Sequence, residues 1–417
     1  MASEKFGWGS ATFLVVANMI GTGIYTTTGF IVAELPAGMA VLFLWLLGGI
    51  AALGGGLAYA ELAKRYPRSG GEYHFLGILY HPVVGYLAGL ISLIAGFAAP
   101  IAASAYAFGA YLPLPLTDIQ RKMAATGLIA VLVGVHSLGL TRGARIQNAF
   151  VLVKMALLLG LIGGALFYSS GPKEPLSCPR LSWDVLRVSA VSLIFISFAY
   201  SGWNAAAYIM SEVPHATRVV PRAILTGTLL VMGLYVLFNY ALLRNVPIAE
   251  LAGQVAVGRL LAYKLWGEVG ERLFGWGVSL ALVSSVSAMT MIAPRVLGVM
   301  GEDYPKLRFL AARNPAGAPV RSLILVAFLA GLFLFSAAFD AVMNYIGFTL
   351  SLSAGLTVAG LFLKHKREKS LPWTLGIFYV ALTAWMVGNN LWERPWESVA
   401  GLLTVAAVGS SYLWLRR

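Results

Sequence analysis

Twelve apolar stretches follow one another along the 417 residues, each near the length of about 20 residues that an α-helix needs to cross the hydrocarbon core of a bilayer. They lie at 9–33, 38–63, 83–111, 122–140, 146–168, 187–211, 221–243, 273–299, 321–338, 341–363, 372–391 and 397–415, and are numbered as segments one to twelve. Lipid offers no water to backbone N–H and C=O groups, so such stretches must close their hydrogen bonds internally as helices. The sequence therefore predicts an all-α polytopic membrane protein with twelve transmembrane helices. Only 11% of the residues are charged and 59% are hydrophobic, whereas a soluble domain carries about a quarter charged residues. The first stretch follows "MASEKFGWGS" with no small-residue cleavage site behind a short apolar core, which reads as an uncleaved first span.

A net charge of +13 would point a soluble chain toward nucleic acid, but here the basic residues cluster in the connections between apolar stretches. Counted by alternate connections, nineteen lie on the side of the two termini and ten on the other, with Lys154 inside segment five as the thirtieth. The excess marks the cytoplasmic face, so both termini are expected inside an inner-membrane protein that contacts lipid and no nucleic acid. Cys178 is the single cysteine, which leaves no internal disulfide and no thiolate metal set, and no cofactor is expected. An enzyme finds little support. "VGVHSLG" has valine at 135 where a nucleophile elbow needs glycine, "AYSG" at 199–202 begins with alanine where an intramembrane serine protease motif needs glycine, and neither a metalloprotease helix nor a phosphate loop is present.

Segments one and six differ from the rest. "NMIGTGIY" puts two glycines around a threonine in the middle of segment one, and "SFAYSGWNAAAY" interrupts segment six at Ser201, Gly202 and Asn204. Each glycine inside a helix costs about 1 kcal/mol relative to alanine. Non-helical backbone at membrane depth survives only against a cavity or inside protein, and matched interruptions in two halves of a chain are a pointer to a transporter's binding site. Freed N–H groups at Gly21–Gly23 suit a carboxylate and freed carbonyls near segment six suit an ammonium, a pair of groups that an α-amino acid presents together. Glycine pairs such as Gly85 with Gly89 and Gly160 with Gly164 fit close helix packing instead.

These residues carry a family resemblance. "NMIGTGIY" resembles the first-span motif of the amino acid–polyamine–organocation superfamily, and "AELAKRYPRSGGEYHFL" resembles its second-span end and following loop. "SFAYSGWNAAAYIMSEVPHATRVVPRAI" is similar to the sixth-span motif of the L-type amino acid transporter branch, and "APRVLGVMGEDYP" to the end of its eighth span. The blocks lie in order over nearly the whole chain. The resemblance implies a leucine-transporter-like fold: a first inverted repeat over 1–168, a second over 187–363, and peripheral spans over 372–417. It carries substrate contacts onto Ile20, Gly21, Thr22, Gly23 and Ile24, and onto Phe198, Ala199, Ser201, Gly202, Trp203 and Asn204. Phe198, by composition an ordinary packing residue, takes from the motif the role of closing over substrate. Asn204 fits both a tie across the unwound stretch and helix–helix glue.

Lys154, in "AFVLVKMALLLG", lies about two turns into segment five. Its position fits two readings: an ammonium facing a partner or cavity, or one snorkelling to the interface. The resemblance places it where related transporters hold a sodium ion, bridging segment one to segment eight through Ser284, Ser285 or Ser287. A fixed cation there argues against sodium coupling and leaves exchange or proton coupling. Glu61 and Glu212 are read as partners of arginines, Pro294 and Arg295 as shaping the end of segment eight, 247–271 as an external amphipathic helix, and "KHKREK" as a solvated charge run.

The expectation is a sodium-independent transporter of neutral L-amino acids, neutrality resting on the lack of an acid at mid-depth in segments one, three, six, eight and ten. The alternative within transport is proton-coupled uptake of a broader set that includes cationic amino acids or polyamines. A channel or receptor bundle would not need the two breaks. The animal L-type transporters work with a disulfide-linked accessory chain through a cysteine expected between spans three and four. Cys178 lies between segments five and six, so no such partner is expected here.

Overall fold

A computed structural model describes residues 7–139, 143–168, 175–364 and 371–416. All regular secondary structure among them is helical, and all twelve apolar segments fall on helices. Eight of these helices are long and apolar enough to cross a membrane: Trp8–Glu34, Gly38–Arg65, Pro82–Tyr111, Phe150–Phe167, Trp183–Glu212, Ala216–Asn245, Val257–Asp303 and Phe339–Lys364. Val320–Ser336 is apolar but shorter. Helices Asp118–Ser137, Leu371–Glu393 and Pro395–Arg416 account for segments four, eleven and twelve. The charge run at 364–369 lies outside the described residues beyond Lys364.

Local sequence explains where helices start and stop. Asp118–Ser137 opens on a capping box in which Thr117 and Gln120 satisfy each other's backbone N–H groups. Trp183–Tyr200 opens on Ser182, whose hydroxyl accepts from the Val185 N–H. The interruptions read from sequence are real gaps in helix. Segment one is split into Trp8–Met19 and Thr22–Glu34, and segment six into Trp183–Tyr200 and a 3₁₀ stretch Ala205–Glu212. A third irregularity had no signal in composition: Ser92–Ala98 of segment three winds as a π-helix, a wider turn often found at functional sites.

The region 247–271 differs from expectation. Instead of one amphipathic helix it forms a short turn of helix, Ile248–Leu251, and then a helix from Val257 that kinks at Gly267 (φ 65°) and runs on to Asp303 as segment eight. This stretch lies on the C-terminal end of segment one, where Gly253 N–H donates to the Gly29 carbonyl at 2.8 Å. Glycine packing also divides. A Cβ at Gly85, Gly89 or Gly164 would lie 2.3–2.6 Å from a neighbour, whereas Gly160 has nothing within 4 Å.

The connection 66–81, which contains the short helix Glu72–Leu79, and the C-terminal ends of segments six and eight share the end of the bundle where basic residues are in excess. Arg68 pairs with Asp303 at 2.8 Å there, and Arg295 grips Glu212 through two nitrogens at 2.6 and 2.9 Å. Glu61 pairs with Arg65 at 2.8 Å.

Candidate functional site

At break one the helix stops at Met19 and restarts at Thr22, with Gly21 as an N-cap that has no side-chain partner. The carbonyls freed by the gap are taken by side chains from other helices. The Lys154 ammonium donates to Ala17 O and Ile20 O, both at 3.1 Å, and to Ser285 Oγ at 2.7 Å. Ser285 Oγ in turn lies 3.2 Å from Ile20 O. Tyr235 of segment seven donates its hydroxyl to Met19 O at 2.5 Å and sits 3.2 Å from Ala199 O, so one phenol spans both breaks. Lys154 is 1% exposed and its nitrogen ends on protein atoms rather than at an interface. Burial without these acceptors would leave an uncompensated ammonium, so the carbonyls and the lysine need one another.

Of the three candidate serines only Ser285 meets Lys154. Ser287 faces away and bonds His136 Nε2 at 3.1 Å, and Ser284 is buried. Residues 285 and 287 are about 200° apart around an α-helix, so one lysine cannot address both.

At break six the chain turns at Ser201 and Gly202, and Gly202 has φ +99°. A Cβ there would lie 2.8 Å from the backbone of Asn18, so only glycine lets this turn lie on segment one. Similarly, a Cβ at Gly23 would be 2.3 Å from the Ala199 Cα. The two breaks therefore touch each other.

Beside break six lies a small cavity of about 80 Å³ that opens to solvent. Its wall includes Asn18, Ser201, Gly202, Trp203 and Asn204, the π-helical residues Gly96 and Phe97, and Glu72 from the connection 66–81. Thus four of the sequence candidates, Ser201, Gly202, Trp203 and Asn204, face the cavity, while Ile20, Gly21, Thr22, Gly23, Ile24, Phe198 and Ala199 do not in this conformation. Phe198 is buried in a cluster with Ile91, Ala95 and Ala99 of segment three and Val342, Met343 and Ile346 of segment ten. A second pocket is lined by Ala103, Tyr106, Phe339 and Val342, of which Ala103 and Val342 belong to the same cluster as Phe198.

Three groups escaped sequence reasoning. Tyr235 had no signal, being one tyrosine in an apolar helix. The π-turn has no compositional mark. Glu72, 4% exposed, was visible within "GGEYH" but opens the short helix Glu72–Leu79 in the connection between segments two and three, and nothing local says that it turns inward. Its carboxylate accepts from Tyr59 OH at 2.8 Å, from Asn204 Nδ2 at 2.5 Å and from Tyr208 OH. Trp203 packs edge-on against Tyr59, ring centres 4.7 Å apart, and so holds the segment-six turn against segment two.

Comparison with known proteins points to amino acid transport. A family profile described as amino acid permease matches residues 6–409. The human b(0,+)-type amino acid transporter 1 is 26% identical over 418 residues, covering 94% of this chain and 84% of its own. The rabbit (Oryctolagus cuniculus) large neutral amino acids transporter small subunit 2 is 26% identical over 94% of this chain and 76% of its own. The serine/threonine exchanger SteT of Bacillus subtilis is 28% identical over 72% of this chain and 68% of its own. These relatives are transporters, not enzymes. A multi-pass membrane protein with two interrupted helices meeting beside a cavity, matched by this profile over nearly its whole length, belongs to the amino acid permease family.

Proposed function

We propose that the chain is a sodium-independent exchanger of neutral L-amino acids that works by alternating access around the two breaks. The observation that carries this reading is Lys154: a fixed ammonium seated on the carbonyls of break one and on Ser285 occupies ground that a coupling sodium ion would need. Relatives named for amino acid transport and exchange support the substrate class. In this reading the twelve segments all span, 1–168 and 187–363 are inverted repeats, 372–417 is peripheral, and both termini are cytoplasmic in the inner membrane.

The substrate's carboxylate meets the uncapped N–H groups of Thr22, Gly23 and Ile24, and its ammonium meets carbonyls near Ala199 and Ser201. These groups become accessible when Gly23 parts from Ala199. In this reading the Phe198 cluster is the gate on the side away from the basic end, and the cavity beside break six is the entry from the inner side. Lys154 with Ser285 and Tyr235 couples the two breaks so that they move together. No accessory chain is required, and Cys178 serves no bridge.

The test is uptake of a labelled amino-acid panel into proteoliposomes holding this chain alone, with or without internal amino acid, under imposed sodium or proton gradients. Uptake that needs internal amino acid and ignores sodium is the expected result. Proton-driven uptake into empty vesicles would overturn exchange and make Lys154 a proton carrier.

A further inference from the structure

Segment eleven lies outside both proposed repeats, yet Tyr379 from its helix Leu371–Glu393 stands on the wall of the cavity beside break six. Among the described residues it is the only one of segments eleven and twelve to do so. Bare glycine surface lets it approach. A Cβ at Gly54 of segment two would lie 2.5 Å from the Leu375 carbonyl oxygen, and one at Gly55 would lie 3.2 Å from the Tyr379 ring. On segment ten, a Cβ at Gly355 would lie 2.9 Å from the Thr383 side chain. Leu375, Tyr379 and Thr383 follow one another at intervals of four and so share one face of the helix. That face lies against segments two and ten, with Tyr379 at its middle.

Tyr379 also reaches break six directly. Its ring meets the Trp203 ring edge-on with centres 6.4 Å apart, while Trp203 packs against Tyr59 as well. At 8% exposure the tyrosine is held by its packing. Segments two and ten give the same wall the small residues Ala51, Ala52 and Ala354, so the Tyr379 ring is the bulkiest group that segments two, ten and eleven supply to it. In a cavity of about 80 Å³, one ring on the wall decides how much side chain can enter. Apolar walls discriminate by fit, by about tenfold or more for each methylene gained or lost.

We propose that Tyr379 is a specificity-determining residue whose ring limits the size of the substrate side chain, so that segment eleven takes part in selection. This rests on the exchange reading and deepens it: an amino acid held by its ammonium at the carbonyls of break six has its side chain in the space that this ring bounds. The ring acts by its volume, and loss of the hydroxyl alone leaves that volume in place.

The experiment is counterflow in proteoliposomes with L-alanine and L-phenylalanine, in the wild type, Tyr379→Ala and Tyr379→Phe. The expected result is a phenylalanine-to-alanine ratio that rises by about tenfold or more in Y379A and stays within about twofold of wild type in Y379F. A purely structural role would lower both substrates together, so an unchanged ratio in Y379A overturns the proposal. A shift in Y379F as large as that in Y379A also overturns it, because the hydroxyl and not the ring would then select. No exchange of these or any other neutral amino acid by the wild type sinks the exchange reading itself. Should Y379A not be recovered folded, thiol labelling decides. With Cys178→Ala as background, Tyr379→Cys should react with a small water-soluble methanethiosulfonate, and L-alanine should slow that reaction. Absence of labelling, or labelling that L-alanine does not slow, overturns the placement of Tyr379 against substrate.

Discussion

Break one and break six use the same local device, a glycine in a gap of helix, and end in opposite surroundings. Break one is filled: an ammonium ringed by acceptors, with Ser285 and Tyr235 completing the set. Break six is open: its turn faces a cavity and leads to a carboxylate ringed by donors. Both side chains are almost wholly buried, Lys154 at 1% and Glu72 at 4% exposed. What separates them is space. Where side chains from other helices take the freed carbonyls of Ala17, Met19 and Ile20, a broken helix becomes a joint; where they leave room, it becomes a place for a ligand.

The comparison breaks most decisively at Lys154. Replacing it with alanine removes charge-assisted hydrogen bonds worth about 1.5–3 kcal/mol each from two carbonyls. Counterflow should fall by about 100-fold or more while the protein stays monodisperse on gel filtration; normal transport in that variant would mean that break one is not a joint. Gly202→Ala comes next. A side chain at φ +99° against the Asn18 backbone carries strain of about 1–3 kcal/mol. Transport should drop by about 10- to 100-fold, and wild-type rates would show that the two breaks need not touch.

Tyr235→Phe deletes one hydroxyl between the breaks, a loss of about 1 kcal/mol or about fivefold in exchange rate. The serines sharpen the point further, since Ser285→Ala should cost a few-fold and Ser287→Ala, which faces His136, less than about twofold. Equal effects would remove the distinction drawn between them. The smallest effect concerns the connection that carries Glu72. Burial, with Arg68 nearby, holds His74 down to about 4 from 6.5, against an opposing pull from Asp303. The unfolded chain therefore binds a proton that the folded one resists, and stability falls as pH drops from 6.5 toward 4. Thermal midpoints in detergent across that range should decline less in His74→Gln than in wild type, and parallel curves would refute the assignment.

Much of the molecule was legible before any coordinates. The twelve apolar stretches all became helices because hydropathy over about 20 residues is a local property that survives any packing arrangement. Both breaks were legible for the same reason: glycine and small polar residues weaken a helix wherever it sits. The stretch 247–271 was misread because a positive φ at Gly267 converts one amphipathic pattern into a kinked continuation of segment eight. Composition does not distinguish the two.

The division between the breaks was not legible. "LVSSVSAMT" offers three serines to Lys154, and only the rotation of segment eight against segment five selects Ser285. Phe198 reads as a gate from its motif, but its packing against segments three and ten depends on helices more than 90 residues away in sequence. Sequence alone determined that this chain is a helical membrane protein with two weak points of matching kind, because those are consequences of solvent and backbone. Only the tertiary structure decided that one weak point is sealed by a lysine and the other faces a cavity with an acid at its end. Those outcomes depend on which distant side chains arrive within about 3 Å, and hydrogen bonds have no reach beyond that.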